Sequence, residues 1–161
     1  MSIVAINFTA GCFTLPGSGS PRLVTKQFRN LLLFEDDEIQ VAYTPAIVFK
    51  GFEGGALTAT IKGFCETEVT PADVAKFQIS MEALTAGDAV NMNVSSSWDT
   101  DNVVDVVPLA GTGYPISTDV ELANDDDVAD GDLVRFRILR TTVGNAMTDG
   151  FYVENLLIVE A

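Results

Sequence analysis

The sequence predicts an all-β chain, an antiparallel β-sandwich of eight to ten strands. Apolar and polar residues alternate with period two in several stretches. Clusters of Gly, Pro, Asn and Asp interrupt these stretches at roughly 8–12-residue spacing, the rhythm of sandwiches and barrels. Helical signals are confined to two single turns.

Taken in order, residues 1–15 precede the most flexible-looking stretch, Pro16-Gly17-Ser18-Gly19-Ser20-Pro21. They are either an ordinary first strand or an arm that adds a strand to a neighbouring subunit. Residues 1–21 are therefore a candidate N-terminal arm on one domain spanning 1–161. Strands are expected at Leu31–Phe34, Ile39–Tyr43 and Ile47–Gly51, then at Leu57–Lys62 after the Gly54-Gly55 turn. Thr70-Pro71 can open one helical turn, with Thr70 as cap and Pro71 at the first helical position. Val74–Leu84 alternates clearly, with Phe77, Ile79 and Met81 on one face and Lys76, Gln78, Ser80 and Glu82 on the other. A second helical turn is placed near Asp88–Met92. Strands follow at Val103–Val107 and Thr118–Leu122. In Leu133–Arg140, Val134, Phe136 and Ile138 point one way and Arg135 and Arg137 the other. Phe151–Val159 closes the set. Such strands are packed on one face and wet on the other. Phe34, Phe49, Phe64, Phe77, Phe136 and Phe151 are assigned to the core.

The formal net charge is −14, and it is uneven. Residues 1–80 carry six basic and eight acidic groups, while residues 81–161 carry three basic and fifteen acidic. Such a surface repels phosphates and anionic lipids, so neither nucleic acid nor membrane is expected as a partner. No apolar run approaches the roughly 18 residues of a membrane span. The first positive side chain is Arg22, so the N-terminus lacks the basic flank of a secretory signal. Cys12 and Cys65 read as small hydrophobes rather than a disulfide framework.

Catalytic motifs are missing. The chain has no histidine, which removes Ser-His-Asp and Cys-His catalysis and His-ligated zinc together. No glycine cluster completes a phosphate loop. An enzyme is therefore not expected, and no cofactor is called for. Calcium is the cofactor worth testing, because Asp125, Asp126, Asp130 and Asp132 crowd one loop. On an EF-hand, Asp126, Asp130 and Gly131 match positions one, five and six, but Val128 and Arg137 occupy positions three and twelve. Only a non-EF loop is left. Asp and Asn also simply suit turns.

Partner contact is assigned to the N-terminal segment, around Ile3, Phe8 and Phe13, with the basic residues Arg22, Lys26 and Arg29. Trp98, in a polar loop after three serines, is either an exposed anchor for a partner or sugar ring or a core residue folded back. Phe52 and Tyr114 are further candidate anchors.

From residue 45 to 159 the order of features resembles jelly-roll structural proteins of tailed bacteriophage virions. Gly54-Gly55 leads into Leu57–Phe64, Phe77–Leu84 is followed by the turn Ala86–Val90, and a loop leads to Asp132–Arg140 and the terminal strand Tyr152–Val159. The resemblance implies a jelly roll, a homotrimer, and a place on the outer capsid surface. There the chain would bind the major capsid protein as a decoration, or cement, protein. Similar domains occur in tail fibres, which implies the alternative of a tail component that binds a receptor or glycan.

Overall fold

The computed structural model describes residues 5–67, 69–88 and 97–161. Among the described residues, eleven strands form two antiparallel sheets. They are β1 (Ala5–Thr9), β2 (Arg22–Lys26), β3 (Arg29–Phe34), β4 (Gln40–Tyr43), β5 (Ile47–Val48) and β6 (Leu57–Cys65). The rest are β7 (Ala75–Leu84), β8 (Asn102–Val106), β9 (Ile116–Glu121), β10 (Leu133–Arg140) and β11 (Phe151–Glu160).

One sheet has the order β2-β3-β11-β6-β9, with β1 also paired to β11. The other runs β4-β10-β7-β8, with β5 also paired to β10. From β5 to β11 the chain crosses between the sheets repeatedly. Each strand therefore turns one row of side chains inward. On β10 the inward row is Val134, Phe136 and Ile138, all fully buried. Phe34 meets Phe77 edge-on at 5.3 Å, Phe77 meets Phe151 at 5.5 Å, and Phe8 meets Phe136 at 5.9 Å. These offset and edge contacts are the arrangements aromatic quadrupoles favour.

Residues 5–9 are an ordinary strand of their own chain: Ala5 pairs Val159 and Thr9 pairs Asn155. Of the β2–β3 hairpin, the sequence predicts only Leu31–Phe34. Its two-residue turn is Gln27-Phe28, which lacks the Gly or Asn that usually marks such turns. The expected strand Ile47–Gly51 shrinks to two residues, although Phe49 stays tied through its N–H to the Asp132 carbonyl at 2.8 Å. No helix forms at Pro71. Instead the Asp73 carboxylate accepts from the Thr70 N–H at 2.6 Å and holds a turn. The other expected turn lies partly outside the described residues, at 89–92.

Phe64 departs from the core assignment. It lies on the outer face of the first sheet, stacked on Tyr152 at 5.2 Å and 10°. With Leu31, Leu33 and Val24 it forms a small apolar cluster separate from the main core. Phe52, expected as an exposed anchor, is buried against Phe49. Among the described residues no helix is long and apolar enough to cross a membrane.

Arg140 is fully buried at the inner end of β10. Its guanidinium donates to the carbonyls of Phe34 at 2.7 Å, Asp149 at 2.8 Å and Met147 at 3.0 Å. One cationic side chain thus pins the 145–149 loop to β3. Burial pulls its pKa below the ordinary arginine value.

Candidate functional site

The outer face of the β4-β10-β7-β8 sheet gathers residues that are far apart in sequence. Because Val134, Phe136 and Ile138 face the core, Arg135 and Arg137 stand outward on β10. The register sets Glu82 opposite Arg135, and Ser80 opposite Arg137. On the other edge of β10, Tyr43 of β4 is opposite Arg137. Arg135 Nε is ion-paired with Glu82 Oε2, whose side chain is nearly fully buried. Arg137 Nη2 donates to Ser80 Oγ and to Asp101 Oδ1, each at 2.7 Å.

Trp98 folds back over this row from the segment before β8. Two backbone bonds aim it: Ser97 N–H donates to Glu82 Oε1 at 2.7 Å, and Asp99 N–H donates to the Met81 carbonyl at 3.0 Å. The half-buried indole lies 5.6 Å from the Tyr43 ring at 33°. The guanidinium carbons of Arg135 and Arg137 lie 4.8 Å and 5.4 Å from its centroid. A hollow of about 410 Å³ opens beside it, lined by Thr14, Tyr43, Thr44, Pro45, Trp98 and Arg135 among others. Aromatic surface, guanidinium donors and hydroxyl groups therefore share one small space. Such a set can stack on an apolar ring face and hydrogen-bond its rim.

The other sequence candidates fall elsewhere. Ile3 lies outside the described residues. Phe8 is 3% exposed and is spent on the core, so it does not face a partner. Phe13 is half-buried and packs on the same core. Arg22, Lys26 and Arg29 sit together on the β2–β3 hairpin of the opposite sheet, each beside an acid of its own chain: Glu35, Glu66 and Glu154. Lys26 also donates to Tyr152 Oη at 2.9 Å. The bond to Glu66 raises the Lys26 pKa and lowers that of Glu66. Tyr114 is exposed on a loop tied to β6 by the bond from Gly113 N–H to the Cys65 carbonyl.

The four aspartates do not converge. Asp126 Oδ2 accepts from Ala83 N–H at 2.8 Å, Asp130 Oδ1 from Gly51 N–H at 2.6 Å, and Asp132 Oδ2 from Ala129 N–H at 2.8 Å. The Asp125 carbonyl accepts from Val128 N–H at 3.2 Å. Three carboxylates each hold a separate backbone amide. Among the described residues no three His, Cys, Asp or Glu side chains are grouped to hold a metal. Cys12 and Cys65 are both free thiols.

Sequence reasoning singled out Trp98 but not Tyr43, Ser80, Glu82, Asp101 or the two arginines. The signal was present in part: arginines alternating outward on β10 opposite Ser and Glu on β7. What joins them to Trp98 is register and loop return, which one sequence does not display.

No family model matches the chain, and no curated protein sequence matches it. Solved structures do. The CBM36-1 domain of a multidomain xylanase from the hindgut metagenome of Trinervitermes trinervoides has a TM-score of 0.53 at 11% identity, covering 98% of each chain. A carbohydrate-binding module described for specific mannan recognition gives 0.47 at 8% identity, covering 100% of this chain and 99% of its own. A family 29 carbohydrate-binding module from Piromyces equi gives 0.46 at 11% identity, covering 100% and 93%. At such identities the likeness speaks to fold alone. The chain is a jelly-roll β-sandwich of the kind seen in the CBM36-1 domain.

Proposed function

We propose that this chain is a carbohydrate-binding domain, with the Trp98–Tyr43–Arg135 surface as its sugar site. The observation that carries the reading is the placement of Trp98. The indole is fixed from below by Glu82, Arg135 and Arg137 and shares the rim of an open hollow with Tyr43. A sugar offers an apolar ring face for stacking and a rim of hydroxyls for hydrogen bonds, and this surface answers both. The ligand is a neutral glycan. Both arginines already have carboxylate partners, so an acidic sugar would have to displace Glu82 or Asp101. The same pairing favours binding without turnover, because it commits the nearby carboxylates to ion pairs. The jelly-roll fold supports the reading as a frame that suits such a site.

The test is a polysaccharide panel followed by titration calorimetry. Binding to a neutral glycan that Trp98→Ala weakens at least tenfold while the domain stays folded is the expected result. No binding to any glycan, or equal binding by Trp98→Ala, would overturn it. The resemblance to virion proteins adds a setting, since a glycan site on a tail component would bind a receptor. Copy number in purified particles separates the settings: a few copies fit a tail, and numbers near those of the shell protein fit a decoration role.

A further inference from the structure

The two aromatic rings of the Trp98 site lie too close together to hold a third ring between them. Carbon atoms in contact are about 3.5–4.0 Å apart, so a ring inserted between two others needs roughly 7–8 Å from plane to plane. The Tyr43 and Trp98 centroids are 5.6 Å apart at 33°. The two rings therefore touch each other and make one bent plate. The guanidinium carbons of Arg135 and Arg137, 4.8 Å and 5.4 Å from the Trp98 centroid, take the side of the indole that faces β10. That leaves the outer side of the plate for a ligand.

No second plate stands beside the first. The chain has ten Phe, three Tyr and one Trp, and apart from Tyr43 and Trp98 only four of these are not buried. All four lie elsewhere. Phe13 packs on the main core, Phe28 sits in the β2–β3 turn, Phe64 is on the outer face of the opposite sheet, and Tyr114 is on the loop bonded to β6. Across the face that carries Trp98, the next outward positions on β4, β10, β7 and β8 are Val41, Leu139, Gln78 and Val103. An extended glycan gains from stacking ring after ring only where aromatic surfaces recur along its track. Here the track ends after one plate. The polar groups gather at the same spot. Arg135 spends its Nε on Glu82, and its two terminal nitrogens carry further donors. Thr44 Oγ1 accepts the Phe136 N–H at 2.9 Å and keeps its own O–H to donate. With Thr14 and Tyr43 they line one hollow of about 410 Å³, toward the small end of the roughly 300–1,000 Å³ range of ligand sites. We infer, resting on the carbohydrate reading, that the site recognises a single sugar ring, and that the further rings of any longer glycan project into solvent. Its ligand class is then the individual sugar unit and not a stretch of polysaccharide.

Calorimetry of the full chain against oligosaccharide ladders tests this. The probes are β-1,4-linked chains of glucose, xylose, mannose or N-acetylglucosamine, one to six rings long, together with the ladder of any other polysaccharide that binds in the panel. In the ladder that binds, affinity should settle by the disaccharide. From two rings to six it should rise only by the statistical factor of three that six rings offer over two. Tyr43→Ala, with its fold checked by a thermal melt, should weaken the shortest and the longest ligand by the same factor, because both use the one plate. A larger rise with length, binding to a polysaccharide but to no member of its ladder, or a Tyr43→Ala defect that is absent or confined to the longer ligands would each overturn the one-ring site and leave the carbohydrate reading standing. Failure of every ladder and of the whole polysaccharide panel would overturn both.

Discussion

The guanidinium carbon of Arg135 lies 4.8 Å from the centroid of the Trp98 ring, while its Nε is paired with Glu82. Glu82 in turn receives the Ser97 N–H through its other oxygen. One buried carboxylate thus fixes both the loop that carries the indole and the cation that meets it. The site is held in place before any ligand arrives, which lowers the ordering cost of binding. Trp98→Ala should therefore cost at least tenfold in glycan affinity, about 1.4 kcal/mol, with the fold retained. Calorimetry beside a thermal melt checks both.

Arg140→Met should be among the most damaging single changes. It keeps an unbranched apolar stem but removes the guanidinium, and so strips the carbonyls of Phe34, Met147 and Asp149 of their donor. Each carbonyl left buried without a donor costs about 1–3 kcal/mol, so a loss of at least about 3 kcal/mol is expected in urea unfolding.

Gly63→Ala should also destabilise strongly. A Cβ there would lie 2.1 Å from the Tyr152 carbonyl and 2.7 Å from the Phe151 ring, beside the β11 irregularity between Val153 and Asn155. Nothing lies within 4 Å of a Cβ at Gly17. Gly17→Ala is the control and should leave the melting temperature nearly unchanged.

Asp126→Asn should stabilise at neutral pH. Burial raises the Asp126 carboxyl above its ordinary value of 3.8, with Asp99, Glu82 and Asp127 adding repulsion. The folded state therefore holds this proton more tightly than the unfolded one, and wild-type stability falls as pH rises from the unfolded value through the folded one. Asparagine keeps an oxygen for the Ala83 N–H and tolerates the φ of 55°. Its advantage should shrink as pH drops below the carboxylate range. Paired urea titrations at acid and neutral pH measure the difference.

Thiol chemistry should separate the two cysteines. Burial pushes the Cys65 thiol up to about 11, while Cys12 is exposed. A disulfide reagent at neutral pH should titrate one thiol in the native protein and two after unfolding.

The strands that alternate cleanly were legible in advance. Leu133–Arg140 appears with its predicted bounds, and Val74–Leu84 loses only its first residue. Their patterns are set by which face is wet. β2 was missed because Gln27-Phe28 gives no turn signal, and β1 was left open because residues 1–15 read equally as a first strand or an arm. Phe64 misled because a phenylalanine on a strand says nothing about which face it occupies. Trp98 was visible as a candidate. Its partners were not, because β4, β7 and β10 supply them through pairings between residues distant in the chain, such as Tyr43 opposite Arg137.

The place of β11 also orders events in time. It pairs with β1, β3 and β6, all of which precede it in the chain. During synthesis the first sheet lacks its middle strand until residues 151–160 leave the ribosome. β3 and β6 must wait with their edges open, and open edges recruit strands from other chains. Late closure by distant pairing is slow. The facing edges of β3 and β6 are therefore covered only once β11 has been made.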